Sequence, residues 1–359
     1  MSVNDVILDE IIGHSVDLSR LEVSIQREVV AELKKLERQL IKDLEASKLL
    51  DALRQQTKTK RLAALLKQTK ETIASAYKEI SKKVASDLSK VAAISEAQSV
   101  GAINTGIKAE VLSVAMSSQQ LKAIVSNTLI EGAPSKEWWS RRSVALRGKF
   151  TDTVRQGMLR GDTTSQIVSS LRGTKANKYK DSVLNGNYRS AEALVRTSVQ
   201  SVANDSRLQT FRDNSDIIKG IEWVSTLDNR TSDVCQALDG AQWDLNGNPL
   251  GHDMAYPGGT AHWGCRSTTV AITKSFKELG SRNAKEIPKS TRASMDGQVS
   301  EKKGYEAWLK TKPKSYQEQA LGVKKRELWN SGKLGFSDLT NQSGNPLTLD
   351  QLETKLGIK

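Results

Sequence analysis

The sequence is expected to fold as a predominantly α protein with a small β subdomain (α+β). Three observations lead there. Apolar residues recur at intervals of three and four through most of the chain, the signature of amphipathic helices. One stretch, Trp223 to Ile272, breaks that pattern and gathers both cysteines, two of the three histidines and three of the seven tryptophans. After it, aromatic and leucine positions again fall at helical spacing up to the final capping signal.

At 359 residues the chain is long enough for two buried cores, although 37% hydrophobic and 5% aromatic content makes them lean. Its 54 Lys and Arg against 41 Asp and Glu give a net charge of +13, which favours polyanionic partners. Two cysteines exclude a disulfide scaffold. No run approaches the ~18 apolar residues of a membrane span. The amino-terminal residues lack the basic flank and apolar run of a signal peptide, so synthesis and retention in a cytoplasm are expected.

In chain order, Leu21, Ile25, Val29, Leu33, Leu36, Leu40 and Leu44 predict a first amphipathic helix from Leu18. Leu62, Leu66, Ile73, Tyr77, Ile80, Val84, Leu88 and Val91 predict a second, possible partners in a helical hairpin. The exposed face of that second helix carries Lys67, Lys70, Lys82 and Lys83, candidates for contact with DNA phosphates and equally a solvated face. Residues 92–130 are rich in Ala, Ser and Val, and Gly132 with Pro134 then mark a boundary. Shorter helices follow, of which Ala191 to Phe211 is the best patterned. Ile221 to Thr226 and Ser267 to Ile272 read as strands, with turns at Asp239-Gly240 and Asn246 to Pro249. Lys274 to Gly304 is polar and reads as a linker. Thr348 with Gln351 forms a capping box for a last short helix. The expected domains are a long-helix region at 1–132, a mixed domain at 133–273 with its β part at 217–273, a linker at 274–303 and a helical tail at 304–359.

The central stretch carries the chemistry. His262-Trp263-Gly264-Cys265 spaces two zinc-type ligands around a tight turn. Cys235 and His252 complete a possible set of four for a structural zinc. A Cys235 to Cys265 disulfide and two simply buried thiols are the competing readings. Asp228, Arg230 and Arg266 are placed to staple the loop ends through a carboxylate–guanidinium pair. A catalytic reading would set Asp228 or Glu222 beside a His262-bound metal for phosphodiester hydrolysis. No phosphate-binding glycine loop, nucleophile elbow or His-Glu-x-x-His helix is present.

The ordered set Arg196-Thr197, Trp223, Asp228-x-Arg230-Thr231-Ser232-x-x-Cys235-x-x-Leu238-Asp239-Gly240 and His262-x-x-Cys265-Arg266 resembles the phage Mu F-like head morphogenesis family of minor head proteins. Trp308-Leu309, Gln319-x-Leu321-Gly322 and Leu347-Thr348-Leu349 resemble the tail that often follows that domain. The resemblance spans roughly Lys136 to Leu356. It implies a structural virion protein without established enzymatic activity, made in the host cytoplasm and carried in the capsid interior or at the portal vertex. The implied partners are the portal protein, capsid proteins, double-stranded DNA and further copies of itself. It also points to Trp223, Asp228, Arg230, Thr231, Gly240 and Arg266 as motif residues, and to Cys235, His262 and Cys265 as matching ligand positions. Many members have Cys where this chain has Ser232, which weakens the carry-over of a four-ligand site. An internal DNA-binding protein ejected with the genome, and a metal-dependent nuclease or effector, stand as alternatives.

Overall fold

The computed structural model describes residues 3–50, 55–174, 176–177, 179, 182–183, 185–275, 278–279, 291–294, 297–300, 304–341 and 345–358. In chain order the elements are α1 (Val3–Ala46), α2 (Gln55–Ile107), α3 (Ser118–Asn127), β1 (Leu129–Ile130), β2 (Ala133–Pro134), α4 (Ser135–Arg160), α5 (Thr164–Arg172) and α6 (Asn185–Asp213). Next come β3 (Ile218–Val224), α7 (Asp233–Leu238), β4 (Gln242–Asp244), β5 (Thr268–Thr273), β6 (Thr291–Ser294) and β7 (Gly297–Ser300). The chain ends in α8 (Tyr305–Leu309), α9 (Lys314–Leu321), α10 (Val323–Asn330), a 3-10 turn at Phe336–Leu339 and α11 (Leu349–Lys355). The protein is therefore mostly helical with small antiparallel sheets.

α1 begins at Val3 rather than Leu18, because Ile7, Leu8 and Ile11 continue the buried stripe across Gly13 and His14. Leu33, Leu36, Leu40 and Leu44 extend it with at most 5% exposure. The stretch expected to be a small-residue helix divides: α2 runs to Ile107, and residues 110–117 are then extended. Side chains hold that extended run, with the Asn104 carboxamide oxygen accepting from the Val111 and Leu112 amides and Glu96 Oε1 from those of Ala115 and Met116. Within the expected linker, β6 and β7 form an antiparallel pair; residues 280–290, 295–296 and 301–303 lie outside the described residues.

Compact units cut across the expected boundaries at 132 and 273. One unit comprises Met1–Ser19, Lys90–Val125 and Val199–Lys359; the other comprises Arg20–Ser89 and Ser126–Ser198. The second is all helix apart from the β1–β2 pair, with Trp139, Phe150, Val154, Ile167, Leu171 and Leu194 fully or almost fully buried. Its charge is distinctive. It carries 29 Lys and Arg against 16 Asp and Glu, whereas the first unit carries 25 of each. The whole net charge of +13 thus belongs to the helical unit.

The first unit is built on the sheet β4-β3-β5, with β3 antiparallel to both neighbours. Trp223 and Trp243 are fully buried within it, among Ile7, Ile11, Ile103, Phe211 and Ile221. Gly220 lets β3 and β4 close, since a Cβ there would stand 2.5 Å from the Trp243 carbonyl oxygen. A second cluster joins Leu227 and Ala237 to Tyr305, Trp308, Leu321, Trp329, Phe336 and Leu352, so the tail packs on the segment that carries α7.

Candidate metal centre

Cys235 sits in the first turns of α7, whose N-cap Ser232 accepts from the Cys235 amide at 3.3 Å. His262 and Cys265 lie on the loop entering β5, where the Cys265 amide donates to the His262 carbonyl at 3.1 Å and Gly264 takes a φ of +72°. That turn brings the two side chains to Cys235. Its Sγ is 3.2 Å from His262 Nε2 and 3.6 Å from Cys265 Sγ, and all three ligand atoms lie within 4.8 Å of one another. Both thiols are buried and His262 is half-buried.

This donor set fits a zinc ion. Two sulfurs bound tetrahedrally at ~2.3 Å stand about 3.8 Å apart, close to the observed separation and far from the ~2.05 Å of a disulfide. His262 Nδ1 is 2.9 Å from the Trp263 carbonyl oxygen; its proton placed there leaves Nε2 to coordinate. The thiol pair gives up one proton readily. Cys265 is held well below the usual thiol range, first by the hydrogen bond from Cys235 and then, against burial, by His262. The remaining thiol, Cys235, is pushed well above it by its bond to Cys265, by burial and by the neighbouring charge. A cation between the sulfurs removes that opposition. Zinc here would cross-link α7 to the β5 entry loop.

The fold does not bring His252 to this cluster. Its Nε2 lies 2.8 Å from the Gln242 carbonyl oxygen and 3.2 Å from the Gln242 amide, its Nδ1 accepts from the Met254 amide, and the ring stands edge-on to Trp243. Both nitrogens serve the loop backbone. Ser232 is the residue placed to supply a fourth donor, because its hydroxyl also hydrogen-bonds the Cys235 sulfur. Ser232→Cys is expected to raise zinc affinity at least tenfold in a competitive chelator titration, at a cost of about 1 kcal/mol for the lost cap.

The motif residues frame the centre. Arg266 clamps Asp228 through two bonds, Nη1 to Oδ2 at 2.5 Å and Nη2 to Oδ1 at 2.8 Å. Asp228 Oδ1 also accepts from the Arg230 amide and the Thr231 hydroxyl, while the Arg230 guanidinium stays 79% exposed. The Thr231 hydroxyl also bonds the Thr226 carbonyl. Gly240, at φ +79°, turns the chain so that the Trp223 carbonyl and amide pair with the Gly240 amide and Ala241 carbonyl. Glu222 receives a bond from Gln242 on the sheet. Among the described residues no carboxylate joins the ligand cluster.

Helix α6 holds the other side of the loop through residues not anticipated as functional. Gln200 donates to the Ser267 carbonyl at 2.8 Å, Asn204 to the Gly259 carbonyl at 2.6 Å, and Arg207 to the Thr268 hydroxyl at 2.5 Å. These residues fall at i, i+4 and i+7, a polar stripe that was readable within an otherwise apolar helix. Gly259 allows the close approach, since a Cβ there would lie 2.8 Å from the Ser201 carbonyl oxygen. The tail fastens the same segment: Asp239 takes the Ser225 and Tyr305 amides on its two oxygens, and the Tyr305 hydroxyl donates to the Asp228 carbonyl.

Of the candidate DNA contacts on α2, Lys82 pairs with Glu79 at 3.0 Å and Lys83 with Glu28 at 2.7 Å. Lys67 and Lys70 are exposed, and no ion pair engages either among the described residues.

These elements define a zinc-type loop clamped between a helix and a three-stranded sheet. Residues 148–270, about a third of the chain, match the family model described as Phage Mu protein F like protein. The matched segment contains α6, β3, α7 and the three clustered ligands, in agreement with the resemblance carried by the motifs. No curated protein and no solved structure matches the chain.

Proposed function

We propose that the chain is a structural protein of a bacteriophage head that acts in head morphogenesis, binding the portal and contacting packaged double-stranded DNA. The observation that carries this reading is the family match across 148–270, which includes the complete Cys235, His262, Cys265 and Arg266 constellation. The role is scaffolding rather than catalysis. Asp228, the acid nearest in sequence to a nuclease role, is committed to Arg266, Arg230 and Thr231. Zinc serves as a cross-link, and no helix among the described residues is long and apolar enough to cross a membrane. Capsid proteins and further copies of the chain are the remaining partners, at the capsid interior or the portal vertex.

Quantitative mass spectrometry of purified virions and DNA-free proheads tests the assignment. Presence in both at a few copies per particle, with capture of the portal protein by the tagged chain, is the expected result. Absence from both overturns it.

The placement of all net positive charge in the helical unit favours a second reading, an internal DNA-binding protein that leaves with the genome. Under it, log affinity for duplex DNA falls linearly with log salt, by about 0.9 for each phosphate contacted. Lys67→Glu with Lys70→Glu should weaken binding about tenfold and flatten that slope. Affinity indifferent to salt and to both changes removes DNA contact from either reading.

A further inference from the structure

Arg207 on α6 is 1% exposed, which places a guanidinium in the interior of the sheet-bearing unit. Nη1 donates to Asn204 Oδ1 at 2.7 Å and to Thr268 Oγ1 at 2.5 Å, both neutral acceptors. Nη2 is buried with no acceptor among the described residues, and no carboxylate there stands within ion-pair distance of Arg207. Burial pushes this guanidinium down to about 10, so it remains charged at neutral pH. A hydrogen-bond acceptor is missing, and so is a counter-charge.

A second orphan lies nearby on α1. His14 Nδ1 is buried without a partner, while Nε2 faces Glu10 at 3.8 Å across one helical turn. The Arg207 charge acts on this imidazole, together with Glu10 and Asp17 of the same helix. The His14 side chain is 22% exposed, enough for a small species to pass its edge.

We propose that α1, α6 and β5 enclose a site for a small monovalent anion, chloride in ordinary solution, held by Arg207 Nη2 and the Nδ1 edge of His14. Water would satisfy the spare N–H groups but leave the buried charge uncompensated; an anion does both. The single positive charge calls for a single negative one. An acidic side chain of another protein cannot reach a group 1% exposed, so the occupant is a free ion. The site is independent of the phage-head reading and of the zinc ligands. It would stabilise the Arg207–Thr268 contact that supports the β5 end of the metal loop.

The test is the 35Cl linewidth of sodium chloride in the presence of full-length protein, with bromide as the competitor, for wild type, Arg207→Met and His14→Phe. Broadening that bromide displaces, reduced several-fold in Arg207→Met and also lowered in His14→Phe, is expected. One charge removed from a surface of +13 would change nonspecific broadening only slightly. Should Arg207→Met fail to fold, His14→Phe and crystals soaked in bromide decide the matter, with an anomalous peak beside Arg207 Nη2 expected. Broadening unchanged in the folded variants, or bromide at surface positions only, overturns the proposal.

Discussion

Cys265→Ser is expected to reduce zinc in the purified protein from one ion per chain to less than about a tenth, measured by plasma mass spectrometry, because two remaining protein ligands do not retain the ion. Serine preserves the size of a residue 1% exposed, so the zinc-free variant should melt close to wild type treated with chelator. The stability difference in zinc-replete buffer follows from mass action. With free zinc a thousandfold above its dissociation constant, linkage supplies about 4 kcal/mol, which the variant forfeits. Unit-wide unfolding is not expected, since the sheet and its tryptophan core do not depend on the ligands. Wild type that purifies without zinc, and whose melting ignores both chelator and added zinc, would reduce Cys235 and Cys265 to buried thiols.

The parts of this site that could be read from sequence are those with short-range signatures. The His-x-x-Cys turn is local, and its ligands do converge on Cys235 even though Cys235 and Cys265 are separated by most of the loop. Choosing between His262 and His252 was beyond spacing, because the outcome depends on the loop's own hydrogen bonding around Gln242 and Met254. The long helices were legible from periodicity, as were β3 and β5 to within a few residues. The division into units was not. α1, α2 and α6 each run through a unit boundary without a break in their apolar stripe, so no composition shift marks it. Gln200, Asn204 and Arg207 were passed over because α6 was read for its apolar face, although their spacing places them together on another. The three-residue β4 has too little alternation to announce itself; the fold makes it a strand by pairing it with β3.

Asp228→Asn is expected to destabilise the protein by about 2–3 kcal/mol at neutral pH, by leaving Arg266 without its charge partner. The upper end of the range for buried pairs is not reached because Arg266 is a third exposed and partly screened by solvent. Burial alone would raise the Asp228 carboxyl, but the Arg266 hydrogen bonds and charge, the Arg230 amide and the Thr231 hydroxyl together hold it below the usual carboxylate range. With a folded pKa below the unfolded value of about 3.9, the unfolded chain binds the proton more readily. The pair's contribution is therefore complete above that unfolded value and is lost as pH falls through the folded one. Denaturant titrations at pH 7 and at pH 3 check both the size and the sign. The gap between wild type and Asp228→Asn should be wide at pH 7 and narrower at pH 3; a gap of equal width at both would mean that packing, not charge, accounts for it. The damage should also reach the tail. Asp228 fixes the loop whose carbonyl receives the Tyr305 hydroxyl, so limited proteolysis should cut the variant before Tyr305 sooner than wild type. Replacing Arg266 by Met in the same chain should recover part of the loss, because the buried charge left behind is then removed as well.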